Sequence, residues 1–441
     1  MGRRASLSCA LLCCWIAASP SAAAQEDFPE PFDRNATYSA EISVAPNGSD
    51  SSGTGSADRP YATLARALAE AAPGTRVRVR AGTYGPVGST RNLEGTAQLP
   101  IAIVADGEVV IDGGGDDVSA WHIGNARFLV IDGFTIQNTG IHGINIDDGG
   151  DATPTEYVAL RNLHFRDIGS GGNNDCLKLS GVDRFYVSSS QFEDCNRGEA
   201  IDMVGCHDGV VTGNHFHDLP FNAVGTKGGS ADVLIHGNRF VNIAQRGVNA
   251  GGATGSDYFR PLDASHEAAR IRIIANVFER TTPPIAFAGC DACLFAHNTV
   301  IEPRRWLARI VQENGSRRPG QGGQVVNNLI VFTSRHMGRD YVQVGPNTEP
   351  DSFVVGSNLW YSLDNPRFRT APLGDGVAPE TTTLYQADPL LVDRRAGDFR
   401  VRTGSPALRG GRPLAGGVYD HLRRRYGNPP TIGAFSEPAP E

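Results

Sequence analysis

One short apolar pattern keeps returning along this chain, and it constrains the fold more than any other feature. It appears at Leu129 to Ile136, Val158 to Phe165, Tyr186 to Phe192, Val210 to Phe216 and Val233 to Phe240. It continues at Ile271 to Phe278, Leu294 to Val300, Val325 to Ile330 and Phe353 to Trp360. Counted at the last apolar residue, the steps are 29, 27, 24, 24, 38, 22, 30 and 30 residues. A period mostly in the twenties, with short β-type runs, Gly at the corners and almost no helical signal, describes a stacked solenoid. Each coil then buries its inner residues against the coils on either side, so the 441 residues need not divide into several globular domains.

Two residues before that apolar position stand Asn214, Asn238, Asn276, Asn298, Asn328 and Asn358. An Asn amide in one register can bond the turn backbone or its counterpart one coil away, which predicts an internal asparagine ladder. A second column precedes it: Ile144 to Ile146, Leu177 to Leu179, Ile201 to Met203, Val224 to Lys227, Val248 to Ala250, Ile285 to Phe287 and Ile310 to Gln312. Alternation along a strand sends its apolar residues inward and projects Lys178, Asp202 and Asn249 from the outer face of one sheet. The expected fold is all-β: a single-stranded, right-handed parallel β-helix with an N-terminal helical cap over Tyr61 to Ala72.

The expected organisation is a signal peptide over 1–24, an N-terminal arm and cap over 25–105, the β-helix over 106–365, and a wrapping tail over 366–441. Arg3 and Arg4, the apolar run Ala10 to Ala18, and Ala22-Ala23-Ala24 before Gln25 supply the signal, so export is expected. No later segment is long and apolar enough to span a bilayer. Five cysteines follow the signal, and an odd number cannot all pair internally. Cys290 and Cys293 are placed to close a local disulfide, whereas Cys176, Cys195 and Cys206 read as buried thiols. A net charge of −8 without basic, aromatic-interleaved patches argues against a nucleic-acid partner.

These features resemble the secreted bacterial right-handed β-helix proteins of the pectate lyase-like superfamily, with pectate, alginate and chondroitin lyases and polygalacturonases. The resemblance covers roughly residues 42–410. It is carried by Asn47-Gly-Ser-Asp50, Thr63 to Ala67, Ala81-Gly-Thr-Tyr84 and Gly404-Ser-Pro-Ala407, and by the runs Asp175 to Gly181, Ala200 to Cys206, Lys227 to Ser230 and Arg305 to Ile310. It implies a monomer acting on an acidic polysaccharide. It does not by itself assign an activity.

Of 40 Lys and Arg residues only Lys178 and Lys227 are lysine, and they fall in one column. Arginine stays protonated, whereas a lysine with a lowered pKa serves as a general base. Asp202 lies between them in register, with Asp175 and Glu199 nearby and Asp147 and Asp148 one coil earlier. This grouping suits β-elimination from a uronate polymer, which needs the C5 carboxylate neutralised, the C5 proton removed and O4 released. Lys178 or Lys227 is the candidate base, with Arg246 in the next coil as partner. Asp175, Glu199 and Asp202 form a candidate Ca²⁺ site, although no contiguous calcium loop is present. The resemblance implies the same two patterns: an acidic cluster with a basic residue, or a lysine with an arginine.

The 38-residue coil carries an insertion over 251–269. Its Tyr258, Arg260 and His266, with Asp202 and Asn249, are candidates for substrate contact. His207, His215 and His217 read as surface histidines, and Arg304, Arg305, Arg309 and Glu313 as a charged stretch that pairs internally. Two other functions fit the same fold: hydrolysis by paired carboxylates such as Asp175 and Asp202, and glycan binding without catalysis.

Overall fold

The computed structural model describes residues 27–150, 153–196 and 198–439, so the expected signal peptide lies outside the described residues. Successive coils pair strand on strand, all in parallel, and form two long sheets. Ten strands make the shorter sheet, from Gly88–Arg91 through Trp121–Gly124, Ile144–Asp147, Leu177–Ser180, Ile201–Val204, Val224–Lys227, Val248–Gly251, Ile285–Ala288 and Ala308–Val311 to Val342–Val344. The longer sheet holds the first repeated column, and both faces of the coil send apolar residues into one continuous core.

Stacking makes like meet like. Phe165, Phe192, Phe216, Phe240 and Phe278 stack ring on ring, with centroids 4.9, 4.9, 4.8 and 4.5 Å apart. Each fully buried ring contributes about 1.5–3 kcal/mol relative to exposure. The asparagine ladder is present as expected. The Nδ2 of Asn214, Asn238, Asn276, Asn298 and Asn328 each donates to the Oδ1 of the next Asn at 3.0–3.1 Å. That same Oδ1 also accepts a backbone N–H of the preceding coil, at 2.8–2.9 Å. The left-handed residue of each of these turns is the one before the ladder Asn: Ala275, His297, Asn327 and Ser357 have φ of 53–58°.

Several expectations are corrected. The helix expected over Tyr61 to Ala72 is confined to Leu64–Leu68, because Thr63 caps it and Gly74 turns the chain into the strand Thr75–Tyr84. Cys176 and Cys195 are joined rather than free, their Cα atoms 5.7 Å apart, because the turn before Leu177 comes back against the turn of the same coil. Cys290 and Cys293 are also joined, and Cys206 is a buried free thiol. The last repeat of the second column is offset by two residues: Ile285 and Phe287 pair with Ala308 and Ile310, which makes Arg309 the outward residue. Toward the C-terminus, Phe399, Val401, Ala407, Ile432 and Ala434 pack against Val277, Ile301, Leu329, Val331 and Leu359. Among the described residues no helix is long and apolar enough to cross a membrane.

The ladder predicts an asymmetric cost. Asn276→Ala removes the acceptor of the buried Asn238 N–H and Nδ2 and the donor to the Ile235 carbonyl and Asn298 Oδ1, and is expected to destabilise the fold by about 2–4 kcal/mol. An exposed substitution such as Tyr258→Ala is expected to change stability by less than about 0.5 kcal/mol. Denaturant melts of the two variants check this.

Candidate functional site

Parallel pairing sets one outward row across the shorter sheet. His122, Asn145, Lys178, Asp202, Gly225, Asn249, Ala286, Arg309 and Gln343 are Cα partners in succession. Lys227 lies two residues beyond Gly225 on the same strand and so points to the same face.

Here the two lysines converge. Lys178 Nζ lies 2.7 Å from Asp202 Oδ2 and 3.1 Å from Asp175 Oδ2. Lys227 Nζ lies 2.9 Å from Asp202 Oδ1 and 3.9 Å from Glu199 Oε2. Both lysine side chains keep about a fifth of their surface exposed, at 20% and 19%, whereas those of Asp175 and Asp202 have none. The carboxylates therefore form a buried floor, and the two amino groups are what a ligand meets.

Each buried carboxyl is fixed from the chain around it. Asp175 Oδ1 accepts the Glu199 N–H at 2.9 Å, and Glu199 Oε1 accepts from Asn222 Nδ2 at 2.8 Å. Asn222 Oδ1 in turn accepts the Arg246 N–H. Gly225 makes the room: a Cβ there would overlap the Glu199 carboxylate. The Asp175 backbone N–H donates to His142 Nδ1 at 2.9 Å, and the disulfide at Cys176 ties down the same turn.

Burial raises the carboxyls of Asp175, to about 6, and Glu199, to about 8, with Asp202 adding repulsion to each. Asp202 goes the other way: burial would raise it, but the two ammonium groups outweigh burial and lower it. Burial alone would depress both lysines, yet the facing carboxylates more than reverse this and raise them. Burial lowers His142 to about 4 and keeps it neutral. A base with a depressed pKa is thus not what the pair presents in the free protein; it presents two ammonium groups.

The structure gathers Lys178, Lys227, Asp175, Glu199 and Asp202 and disperses the other expected residues. Asp202 points outward but is covered by the lysines, so it does not reach a substrate. Asn249 is nearly buried and holds Arg246 Nη1 through its Oδ1 at 2.6 Å. The guanidinium of Arg246 is also paired with Glu313, which leaves it committed rather than free to partner a lysine. Arg260 is bound to Asp183 at 2.7 and 2.9 Å and to the Gly205 carbonyl, fastening the insertion to a corner. His266 is buried beside Ser265. Tyr258 is 73% exposed at the insertion tip.

Asp175, Glu199 and Asp202 do not offer a joint donor set for Ca²⁺. Lys178 Nζ fills the space between Asp175 and Asp202, and both oxygens of Asp202 already face ammonium groups. Among the described residues no group of three or more His, Cys, Asp or Glu is arranged to hold a metal ion.

Sequence reading passes over Glu267, which is fully buried and holds the wall beside Lys227. It accepts from the Gly228 N–H, from the Thr254 N–H and hydroxyl, and from Asn314 Nδ2, at 2.6–3.0 Å. These bonds join the 251–269 insertion to the later loop around Asn314. Nothing in the linear sequence marks this glutamate, because its partners come from three separate coils.

No family model matches the chain. Pectate lyase PEL9 of Emericella nidulans is 28% identical over 199 residues, which is 41% of this chain and 46% of that relative, so the chain spans about half the relative's length. The pectate lyase Pel9A structure superposes with a TM-score of 0.51 at 16% identity, covering 91% of this chain and 97% of that one. A rhamnogalacturonan lyase superposes with a TM-score of 0.55 at 13% identity, covering 86% and 95%. The chain has the parallel β-helix fold of these structures. A GH136 lacto-N-biosidase from Eubacterium ramulus shares the fold at a TM-score of 0.53 and 12% identity, over 78% of this chain and 67% of that one. The β-helix thus carries differently named enzymes, and the site has to carry the argument for activity.

The raised Glu199 carboxyl has a consequence for stability. Its proton is held more tightly in the folded chain than in the unfolded one, so its contribution is present in acid and is lost as pH rises from about 4.5 through about 8. Glu199→Gln removes that dependence. The variant is expected to gain on the wild type between pH 5 and 9, as read by melting temperatures across that range.

Proposed function

We propose that this chain is a polysaccharide lyase that cleaves a uronic-acid-containing polysaccharide by β-elimination, with Lys227 as base and Lys178 as the group that holds the uronate carboxylate. The observation that carries the reading is the pair of amino groups, from the chain's two lysines, set over one buried carboxylate on an outward β-helix face. The pectate lyase relative and the lyase-bearing fold support a polysaccharide as the partner.

The roles divide by hydrogen-bond contact and not by charge, since the surrounding carboxylates raise Lys227 more than Lys178. Lys178 has two carboxylates within hydrogen-bond distance, whereas Lys227 has Asp202 alone, with Glu199 farther off at 3.9 Å. Lys178 keeps its proton and neutralises the substrate carboxylate, which acidifies C5. Lys227, as free amine, takes the C5 proton. The electron pair left behind forms the C4–C5 double bond as the C4–O4 bond breaks, and the departing O4 takes a proton from water. Asp175 and Asp202 are poorly placed as a hydrolytic pair, because both lie beneath Lys178 without exposed surface.

The raised lysine sets the pH dependence. At neutral pH little Lys227 is free base, and the fraction grows tenfold with each pH unit. The value of kcat/KM is therefore expected to rise with a slope of about one through pH 7–9. Once Glu199 ionises, near pH 8, its charge opposes loss of the Lys227 proton, so Glu199→Gln is expected to move the upper part of that rise to lower pH.

The test is ultraviolet absorbance of the unsaturated uronate formed from pectate, alginate and glycosaminoglycans, with and without Ca²⁺. Lys227→Ala is expected to lower kcat by roughly 10²–10⁴, and Lys178→Ala to raise KM as well. The protonated state of both lysines equally favours glycan binding without catalysis. No absorbance and no new reducing ends, with acidic-glycan binding that both lysine variants weaken, would establish that reading instead. Export belongs to the proposal: the Cys176–Cys195 disulfide suits an oxidising compartment, and N-terminal sequencing of exported protein is expected to begin near Gln25.

A further inference from the structure

The outward row does not end at the lysines. Three strand steps along it, about 14 Å at the usual spacing, Arg309 occupies the same register as Asp202 and Gly225. Between them Gly225 and Ala286 carry little or no side chain, and Asn249 is buried and bonded to Arg246, whose guanidinium pairs with Glu313. Arg309 Nε donates to Gln343 Oε1 at 2.7 Å, and Gln343 Nε2 is itself fixed to the Val344 carbonyl at 2.9 Å. This orients the guanidinium through one N–H and leaves its two terminal NH₂ groups without a hydrogen bond among the described residues. Arg309 and Arg305 both lie over the Trp306 indole, 4.9 and 4.2 Å from its centre. Neither has a carboxylate within 4.0 Å among the described residues, and nearby Glu313 is taken by Arg246. The charged stretch expected to pair internally therefore leaves two guanidinium groups unneutralised beside a partly exposed indole.

We propose that Arg309, with Arg305 and Trp306, forms a second carboxylate-binding subsite, so that a single polyuronate chain spans from the lysine pair to Arg309. This rests on reading the lysine pair as an acidic-polysaccharide site and names what that site recognises at a distance. An oriented guanidinium with a free edge matches a carboxylate in two parallel N–H···O bonds, which a lysine cannot offer. The indole holds both arginines in place and lends the subsite a spectroscopic reporter, since Trp121 and Trp360 are fully buried in the core.

The experiment titrates the full chain with acidic oligo-uronates of three and seven sugars and with the methyl-esterified heptamer, by calorimetry and tryptophan fluorescence. Arg309→Gln is expected to weaken the acidic heptamer by roughly ten- to hundredfold, to leave the trimer unchanged, and to bind the ester as wild type does. Arg309→Lys is expected to fall between them. The heptamer is expected to change the fluorescence of the wild type and not of Trp306→Phe. Unchanged melting temperatures separate these effects from misfolding. Equal heptamer affinity in wild type and Arg309→Gln, with Lys178→Ala weakened, would overturn the subsite and leave the lysine reading standing. Arg309-dependent binding without any turnover would do the reverse for the lyase assignment. Failure of every acidic oligomer to bind wild type would sink both.

Discussion

In-register pairing between successive coils is the constraint on which the rest of this protein depends. Each interior strand of the two long sheets finds its hydrogen-bond partners one coil before and one coil after, so a residue's neighbours are set by its register and not by its distance along the chain. Inside, this stacks phenylalanine on phenylalanine and asparagine on asparagine. Each ladder amide answers buried backbone groups at a turn that would otherwise be left unpaired. Outside, the same rule turns residues from separate coils into a continuous row.

The row explains why so much charge gathers with so little exposed carboxylate. Lysine and aspartate from adjacent coils meet face to face, and the turns before those strands bring Asp175 and Glu199 underneath. A buried carboxylate is costly unless paired, and the two ammonium groups offset that cost while remaining accessible themselves. Gly225 is part of the same solution, because its missing side chain is the space that Glu199 fills. Loops from two later coils then join through Glu267 to form a wall beside Lys227.

Much of this was legible in the linear pattern. The period gave the solenoid, the aligned asparagines gave the ladder, and the scarcity of lysine singled out Lys178 and Lys227. Where reading by alignment failed, a single physical cause recurs. A two-residue slip in one repeat hid Arg309, because the pleat sends every second residue to the other face and the slip substitutes one outward residue for another. The roles expected for Arg246, Arg260 and His266 depended on which partners the side chains find, and those partners lie 67, 77 and one residue away. The pairing of Cys176 with Cys195 likewise follows from how the turns of one coil meet.

The sequence by itself determined the architecture, since a repeating apolar period admits only one way for each coil to bury its face. It also determined which residue types line the shorter sheet. Tertiary structure alone decided their chemistry: that Asp202 is covered rather than presented, that both lysines are held protonated, and that three carboxylates surround ammonium groups instead of converging on a metal ion. The reason is physical. Burial and charge partners are properties of the space between coils, and no single coil contains that space.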